Sequence, residues 1–135
     1  MENRYLFRGK RTDNGEWEIG SLIALPDGKF EIANKCENPP DGDPMWRKCV
    51  ITHYVDPSTI CQCTGMPDKN KKLVFEHDIV WDSDERAFYE IIWNQEDMCW
   101  NVKDADGYKS NFEECYGSTI EVNGNSFDNP ELLEV

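Results

Sequence analysis

The residues best suited to chemistry in this sequence are six cysteines and two histidines. They are Cys36, Cys49, Cys61, Cys63, Cys99, Cys115, His53 and His77. Cys61 and Cys63 form a C-x-C pair, which in a β-strand places both thiols on one face. Such a pair completes a metal site only if two further ligands arrive from elsewhere. We favour buried, reduced thiols that pack as small apolar groups, and we predict no metal and no cofactor.

A nucleophile paired with a base is the other chemistry that these residue types allow. A thiol such as Cys61 and an imidazole such as His77 can meet in space without any telling spacing in the sequence. His77 also falls on the apolar side of a predicted strand, where we expect a hydrogen-bonded, partly buried histidine. The common phosphate-binding, hydrolase and metalloprotease motifs are absent from the sequence. The sequence therefore predicts that the protein is not an enzyme.

A near match to a calcium-binding loop surrounds Gly107. With Gly107 at position six of an EF-hand loop, Asp104, Asp106 and Glu113 occupy positions three, five and twelve. Position one is then Val102, which cannot bind calcium, and no flanking helices are predicted. The pattern favours a β-turn with acidic corners.

The chain is acidic, with 14 Lys plus Arg and 27 Asp plus Glu in 135 residues and a net charge of −13. This charge repels phosphate backbones, which require a basic face. Basic residues cluster only over 4–11 and over 69–72, where we expect solvated turn and edge charges. Nucleic-acid binding stays open as an alternative, as does an acidic mimic that competes with nucleic acid for a basic partner.

The sequence contains no segment that predicts membrane insertion. No stretch approaches the roughly 20 apolar residues that a transmembrane helix needs. The opening residues Met-Glu-Asn-Arg also lack the basic and then apolar pattern of a signal peptide. We therefore expect a cytoplasmic protein.

Alternating apolar residues and turn signals predict β-strands throughout the first half of the chain. The predicted strands cover residues 5–7, 17–20, 21–25, 29–33 and 50–55. Turns join them at 12–15, which contains Asn-Gly, and at 26–28. Residues 36–48 predict an exposed loop in which Trp46 either anchors a partner or folds back over the loop. Residues 56–59 predict a turn or a single helical turn.

The second half predicts further short strands. Leu73, Phe75, His77, Ile79 and Trp81 alternate with polar residues, which predicts one half-buried strand over 73–81. Further strands are predicted at 87–93, 98–102 and 120–122, with a helical turn after residue 130 and either a helix or a loop over 110–116. The pattern predicts an all-β chain that ends in a small barrel or rolled sheet. We divide it into a β-hairpin layer over 1–57 and a barrel over 58–135.

Three blocks of the sequence together resemble the YopX-like family of phage and prophage proteins. The blocks are Arg8-Gly9-Lys10-Arg11 with Asn14 to Leu22, Val55 to Asn70 with Phe75 to Val80, and Asn123-Gly124-Asn125 with Phe127 to Leu133. They follow the order of the family and span nearly the whole chain. The resemblance implies a phage or prophage gene product in a bacterium, with an SH3-like β-barrel in its C-terminal part. The resemblance does not imply any particular molecular activity.

The central block contains the candidate interaction surface. Its residues are Thr64, Gly65, Asp68, Lys69, Asn70 and Asp78. One interpretation is a turn-forming run whose side chains cap their own backbone, and the other is a binding surface on a rigid scaffold. Lys71 and His77 stand where the family usually has glycine, at turn or bulge positions. Either the backbone differs locally, or these two residues accept an unfavourable positive φ.

These patterns lead us to expect a non-enzymatic accessory protein of a phage or prophage that binds an unidentified protein partner. A nucleic-acid-binding small barrel, or the acidic mimic, is the alternative. Edge strands that can pair between copies also leave a homo-oligomer open.

Overall fold

The computed structural model describes residues 3–35, 50–112 and 118–134, and β-strands dominate them. The strands are β1 (Phe7–Lys10), β2 (Trp17–Ala24), β3 (Phe30–Lys35), β4 (Val50–Val55), β5 (Cys61–Pro67), β6 (Leu73–Phe75), β7 (Asp78–Asp82), β8 (Ala87–Asn94), β9 (Cys99–Lys103), β10 (Lys109–Asn111) and β11 (Ile120–Asn125). Short 3-10 turns lie at Asn3–Tyr5, Pro57–Thr59 and Pro130–Leu133. The prediction of a mainly β chain is confirmed. Within these described ranges, no helix is both long and apolar enough to cross a membrane.

The chain divides into two compact units. The first unit is Tyr5–Cys61, and the second unit is Met1–Arg4 with Gln62–Val135. A compact unit need not fold by itself, so the division into domains 1–57 and 58–135 stays a prediction.

The first unit is an antiparallel sheet in the order β4-β3-β2-β1. Leu22 lies opposite Ile32, and Ile32 lies opposite His53, so these side chains share one face of the sheet. Ile32 is fully buried on that face, together with Val55. Arg11 forms a bridge to Val55, which ties the end of β4 back to the chain that follows β1. The first unit therefore curls around this apolar face.

Local turn chemistry explains the connections of the first unit. Gly15 adopts a φ of +73°, as the predicted Asn-Gly turn requires. Pro57–Thr59 forms the predicted helical turn, and the carboxylate of Asp56 caps it by accepting a hydrogen bond from the N–H of Ser58 at 3.0 Å. Two details differ from the prediction. The first strand begins at Phe7 because Asn3–Tyr5 forms a 3-10 turn, and residues 17–24 form one strand rather than two.

The second unit contains the β5–β6 hairpin and an antiparallel sheet in the order β10-β9-β8-β7-β11. Strands β7 to β10 follow one another as a meander, and β11 returns to pair with β7 on its free side. The described strands of this sheet leave β10 and β11 as its edges and do not close a barrel. Its apolar core consists of Val74, Val80, Ile91, Val102 and Ile120.

The prediction of one continuous strand over 73–81 is wrong. The backbone turns between β6 and β7, because His77 adopts a φ of +68°, which is incompatible with a strand. Residues 109–111 also form β10, so the helix or loop predicted over 110–116 begins instead as a strand. Residues 113–116 of that segment and the predicted loop 36–48 with Trp46 lie outside the described residues.

Candidate interaction surface

Thr64 and Gly65 lie in the middle of β5. The buried hydroxyl of Thr64 donates a hydrogen bond to the carbonyl of Val74 at 2.8 Å and accepts one from the N–H of Met66 at 3.1 Å. Gly65 is exposed and adopts a φ of +83°, which a glycine accepts without strain. Thr64 therefore satisfies backbone groups where β5 departs from regular pairing with β6, whose register shifts between Cys63 and Pro67.

Asp68 begins the turn between β5 and β6, and its side chain is buried, with 4% of its surface exposed. One carboxylate oxygen accepts hydrogen bonds from the N–H groups of Asn70 at 2.8 Å and Lys72 at 2.9 Å. The other oxygen accepts one from the N–H of Val122 in β11 at 3.0 Å. A buried carboxylate with these partners both caps the turn and joins it to the last strand.

The rest of the turn is exposed but anchored. The N–H of Lys69 donates to the carbonyl of Ile120 at 3.0 Å, and its ammonium group lies 3.7 Å from the carboxylate of Glu121. The side chains of Lys69, Asn70, Lys71 and Lys72 are exposed to solvent. The β5–β6 turn therefore presents three positive charges on a backbone that is bonded to β11.

Asp78 acts in a different turn from the other candidate residues. Its side chain is 2% exposed, and one carboxylate oxygen accepts a hydrogen bond from the N–H of Phe75 at 2.8 Å. This bond closes the turn between β6 and β7. The structure therefore groups Thr64, Gly65, Asp68, Lys69 and Asn70 on the β5–β6 hairpin and places Asp78 at the start of β7.

The φ angles of Lys71 and His77 decide whether the local backbone differs from that of the family or these residues adopt a positive φ. Lys71 adopts a φ of +66° and His77 a φ of +68°, so both residues accept the left-handed conformation that glycine favours. A non-glycine residue pays on the order of 1–2 kcal/mol for this conformation. The surrounding hydrogen bonds, such as that from the N–H of Lys71 to the carbonyl of Asp68 at 3.0 Å, hold the backbone there.

His77 belongs to a charged cluster that the sequence did not predict. Its Nδ1 donates a hydrogen bond to the carboxylate of Glu90 at 2.8 Å, and the ammonium group of Lys103 lies 3.4 Å from the other Glu90 oxygen. The carboxylate of Glu76 lies 3.8 Å from Nε2 of His77. The hydrogen bond from His77, with the charge of Lys103, lowers the pKa of Glu90 despite its burial. The predicted hydrogen bond and partial burial of His77 are confirmed, whereas no sequence pattern indicated that Glu90 and Lys103 lie beside it.

The C-x-C pair is buried, as predicted. The thiols of Cys61 and Cys63 are fully buried on one face of β5. The thiol of Cys61 donates to the carbonyl of Thr59 at 3.2 Å, and that of Cys63 accepts from the N–H of Gly65 at 3.4 Å. In the part of the chain that the structure describes, no group of three or more His, Cys, Asp or Glu is arranged to hold a metal ion. Cys36, Cys49 and Cys115 lie outside that part.

The acidic loop around Gly107 is a β-turn, as predicted. One carboxylate oxygen of Asp104 accepts hydrogen bonds from the N–H groups of Asp106 at 3.0 Å and Tyr108 at 2.9 Å. Gly107 adopts a φ of +90°. The Asp104 side chain therefore caps its own turn.

Charge is distributed unevenly between the two units. Residues 5–61 hold seven Lys or Arg and nine Asp or Glu, whereas the second unit holds seven and eighteen. The first unit thus carries −2 and the second −11. Three basic residues of the first unit are engaged locally: Arg8 and Lys10 lie over the ring of Trp17, at 4.8 and 5.4 Å from its centre, and Arg11 pairs with Asp13 at 2.7 Å.

The chain matches a known protein family. The family model described as YopX protein matches residues 6–134, which contain every described strand and every candidate residue. The search of curated proteins finds no match.

Proposed function

The chain belongs to the YopX protein family, and from this premise we propose that it is a non-enzymatic protein-interaction module of a phage or prophage. It acts in the cytoplasm of the bacterium that carries the phage. Its partner is a protein that contacts the exposed turn between β5 and β6.

The observation that carries the proposal is the contrast within this turn between buried and exposed side chains. Thr64 and Asp68 use their polar atoms on backbone groups beneath the turn, while Lys69, Asn70 and Lys71 face solvent. A turn held in this way loses little conformational freedom when it binds, so more of the contact energy appears as affinity. Exposed loops on a rigid scaffold are where binding residues concentrate.

The chemistry of the exposed side chains indicates the kind of contact. Lysine ammonium groups donate to carboxylates and carbonyls, and the Asn70 amide both donates and accepts. The carboxylate of Glu121 lies 3.7 Å from the ammonium group of Lys69. Lys71 and Lys72 lie farther along the turn. We therefore expect a partner that presents carboxylates or backbone carbonyls to this turn.

The environments of the thiols and of His77 support a non-enzymatic role. Cys61 and Cys63 are buried, and each thiol contacts backbone of its own strand or of the adjoining turn. His77 directs Nδ1 at Glu90, and its backbone carbonyl accepts a hydrogen bond from the N–H of Ser126 at 2.9 Å. These contacts are those of structural groups rather than of an activated nucleophile and its base.

The alternative is nucleic-acid binding, which the cluster of Lys69, Lys71 and Lys72 favours. The net charge of −13 opposes it, since a polyanion would be repelled over most of the surface. An acidic mimic of nucleic acid fits the net charge of −11 on the second unit instead. This hypothesis predicts a basic protein partner that added DNA displaces.

We also propose that the second unit is a variant of the SH3-like barrel that the family resemblance implies. The β7–β8–β9 meander and the return of β11 to β7 support this arrangement. An experimental structure in which the five strands and the β5–β6 hairpin fail to curve around one core would contradict it.

The test is an affinity pull-down from lysate of the native bacterium, with and without nuclease, followed by mass spectrometry. The turn variant carries Lys69→Ser and Lys71→Gly, and the matched control carries Lys109→Ser and Arg86→Gly. Each variant removes two exposed cations and places glycine at one positive φ, since Arg86 has a φ of +54°. We expect a nuclease-resistant protein partner that the wild type and the control recover and the turn variant loses.

Other outcomes decide between the alternatives. Binding that disappears with nuclease favours the alternative hypothesis of nucleic-acid binding. Equal recovery by both variants places the contact away from the β5–β6 turn and overturns the proposed site.

A further inference from the structure

We propose that the end of the β8–β9 hairpin is a second interaction surface, which takes an arginine-bearing basic segment of a protein partner. We name this surface the hairpin tip, and it consists of Trp93, Gln95, Glu96, Asp97, Met98 and Trp100. The tip lies on a different hairpin from the β5–β6 turn and binds the opposite charge. This proposal and the proposed function can therefore fail independently.

The apolar face of the second sheet continues past its core to the end of this hairpin. Ile91 lies opposite Val102 in the core, and Trp93 lies opposite Trp100 two residues farther along each strand, on the same face. The two indole rings meet edge to face with 5.2 Å between their centres, and Trp93 is 39% exposed. Its Nε1–H donates to the side-chain oxygen of Gln95 at 2.9 Å, which holds this exposed ring in place.

The turn of this hairpin exposes an apolar side chain that its backbone does not require. Met98 adopts a φ of +53° and is 72% exposed. The β7–β8 turn has the same length, and Arg86 occupies the corresponding place with a φ of +54°. A positive φ favours glycine, asparagine or aspartate, so methionine has no conformational advantage at this position. Met98 instead offers a flexible apolar side chain to a partner.

The charges of the tip are negative. The four turn residues, Gln-Glu-Asp-Met, include no Lys or Arg, and the side chains of Glu96 and Asp97 are exposed. Among the residues that the structure describes, no Lys or Arg forms an ion pair with either carboxylate. The unit that contains the tip carries a net charge of −11. The tip therefore attracts cationic partners and repels acidic ones.

Arginine fits the tip better than lysine does. A guanidinium group is planar, stacks on an aromatic ring and donates hydrogen bonds to a carboxylate in a fixed fork. Trp93 provides the ring, and Glu96 and Asp97 provide the carboxylates. Met98 and Trp100 provide apolar surface for the residues beside the arginine. We therefore assign to the tip a segment in which arginine and aliphatic residues alternate.

The test titrates the isotope-labelled protein with end-blocked peptides and follows the indole N–H signal of Trp93 by NMR. The peptides contain three repeats of Arg-Leu, Lys-Leu or Glu-Leu. The tip variant carries Glu96→Gln and Met98→Asn, and the matched control carries Glu85→Gln and Tyr108→Asn. Each variant removes one exposed carboxylate and one exposed large side chain of the second unit. Asparagine also suits the positive φ of Met98.

We expect the Arg-Leu peptide to shift the Trp93 signal, with a dissociation constant that rises with salt because exposed charges are screened. The Lys-Leu peptide should bind more weakly, and the Glu-Leu peptide should not bind. The tip variant should raise the dissociation constant of the Arg-Leu peptide by about fivefold or more, because it loses a carboxylate and an apolar contact. The control variant should leave this constant within about twofold.

Three other results would overturn the proposal. The first is equal binding of the Arg-Leu and Glu-Leu peptides, and the second is equal weakening in the tip variant and the control. The third is a Trp93 signal that responds to phosphatidylcholine vesicles and to none of the peptides, because a membrane would then be the occupant. A folded Trp93→Leu variant that binds the Arg-Leu peptide as tightly as the wild type, measured by calorimetry, would also contradict the role of the ring.

Discussion

The carboxylate of Asp68 accepts a hydrogen bond from the backbone N–H of Val122 at 3.0 Å, across 54 residues of the chain. The same carboxylate accepts hydrogen bonds from two N–H groups of its own turn. A residue of the central family signature thus joins the β5–β6 turn to the last strand. The signature specifies the fold at this point, and the side chains that follow Asp68 are exposed.

Replacing Asp68 with alanine should lower the free energy of unfolding by about 2–4 kcal/mol, because three partly buried N–H groups lose a charged acceptor. Equilibrium urea unfolding measures this loss. Asp104→Ala is the matched control, since Asp104 also accepts two N–H groups of its own turn but makes no bond to a distant strand. Asp104→Ala should lower the free energy of unfolding by clearly less than Asp68→Ala. Equal losses would contradict the role assigned to the bond with Val122.

Replacing Lys71 with glycine should raise the free energy of unfolding by about 1 kcal/mol, because glycine relieves the strain of a φ of +66°. The neighbouring Lys72→Gly, at an ordinary φ, should instead lower it by about 0.5–1 kcal/mol through the added freedom of the unfolded chain. Thermal and urea unfolding of the two variants measure the difference. Two changes of the same sign would show that the backbone of the turn does not hold Lys71 in this conformation.

Replacing His77 with glycine should raise the pKa of Glu90, since the hydrogen bond that lowers it is lost while burial remains. A lowered carboxyl pKa stabilises the fold above the ordinary value of 4.5, and this stability is lost as pH falls through the lower folded pKa. In the variant, the part of the stability that Glu90 loses on acidification should therefore be smaller, because the folded pKa of Glu90 no longer lies as far below its unfolded value. NMR titration of the Glu90 carboxyl measures the shift directly.

Glu76→Gln is the control for this titration. It removes the carboxylate that lies 3.8 Å from the other imidazole nitrogen of His77 and leaves the bond to Glu90 in place. The pKa of Glu90 should move much less than in His77→Gly. A comparable upward shift in both variants would mean that His77 does not act through its direct bond.

Cys61 and Cys63 should resist thiol alkylation in the folded protein, since both are fully buried. Their labelling should be slower than in urea by about a thousandfold or more, because it requires unfolding of the core strand. Cys99, which is only partly buried, should react faster. Peptide mapping by mass spectrometry after timed labelling separates the three sites. Native labelling of Cys63 at the rate of Cys99 would contradict its structural role.

Much of the fold follows from local sequence. The Asn14-Gly15 and Asp106-Gly107 turns, the helical turn over 56–59 and most of the strands depend on residues close together in the chain, and each was predicted. The turn at His77 was not predicted from local sequence, because His77 fits the alternating apolar pattern of a strand although its backbone turns. Only the family's usual glycine at that position indicated a turn.

The sequence by itself determined the β character of the chain, the identity of its turns and the residues of the family signature, since these depend on local conformational preference. The tertiary structure decided which residues, distant in the chain, contact one another. The bond from Asp68 to Val122 requires β11 to return beside β7, and that from His77 to Glu90 requires the turn before β7 to lie over β8. No local pattern encodes such pairings, because they follow from packing many distant residues around one core.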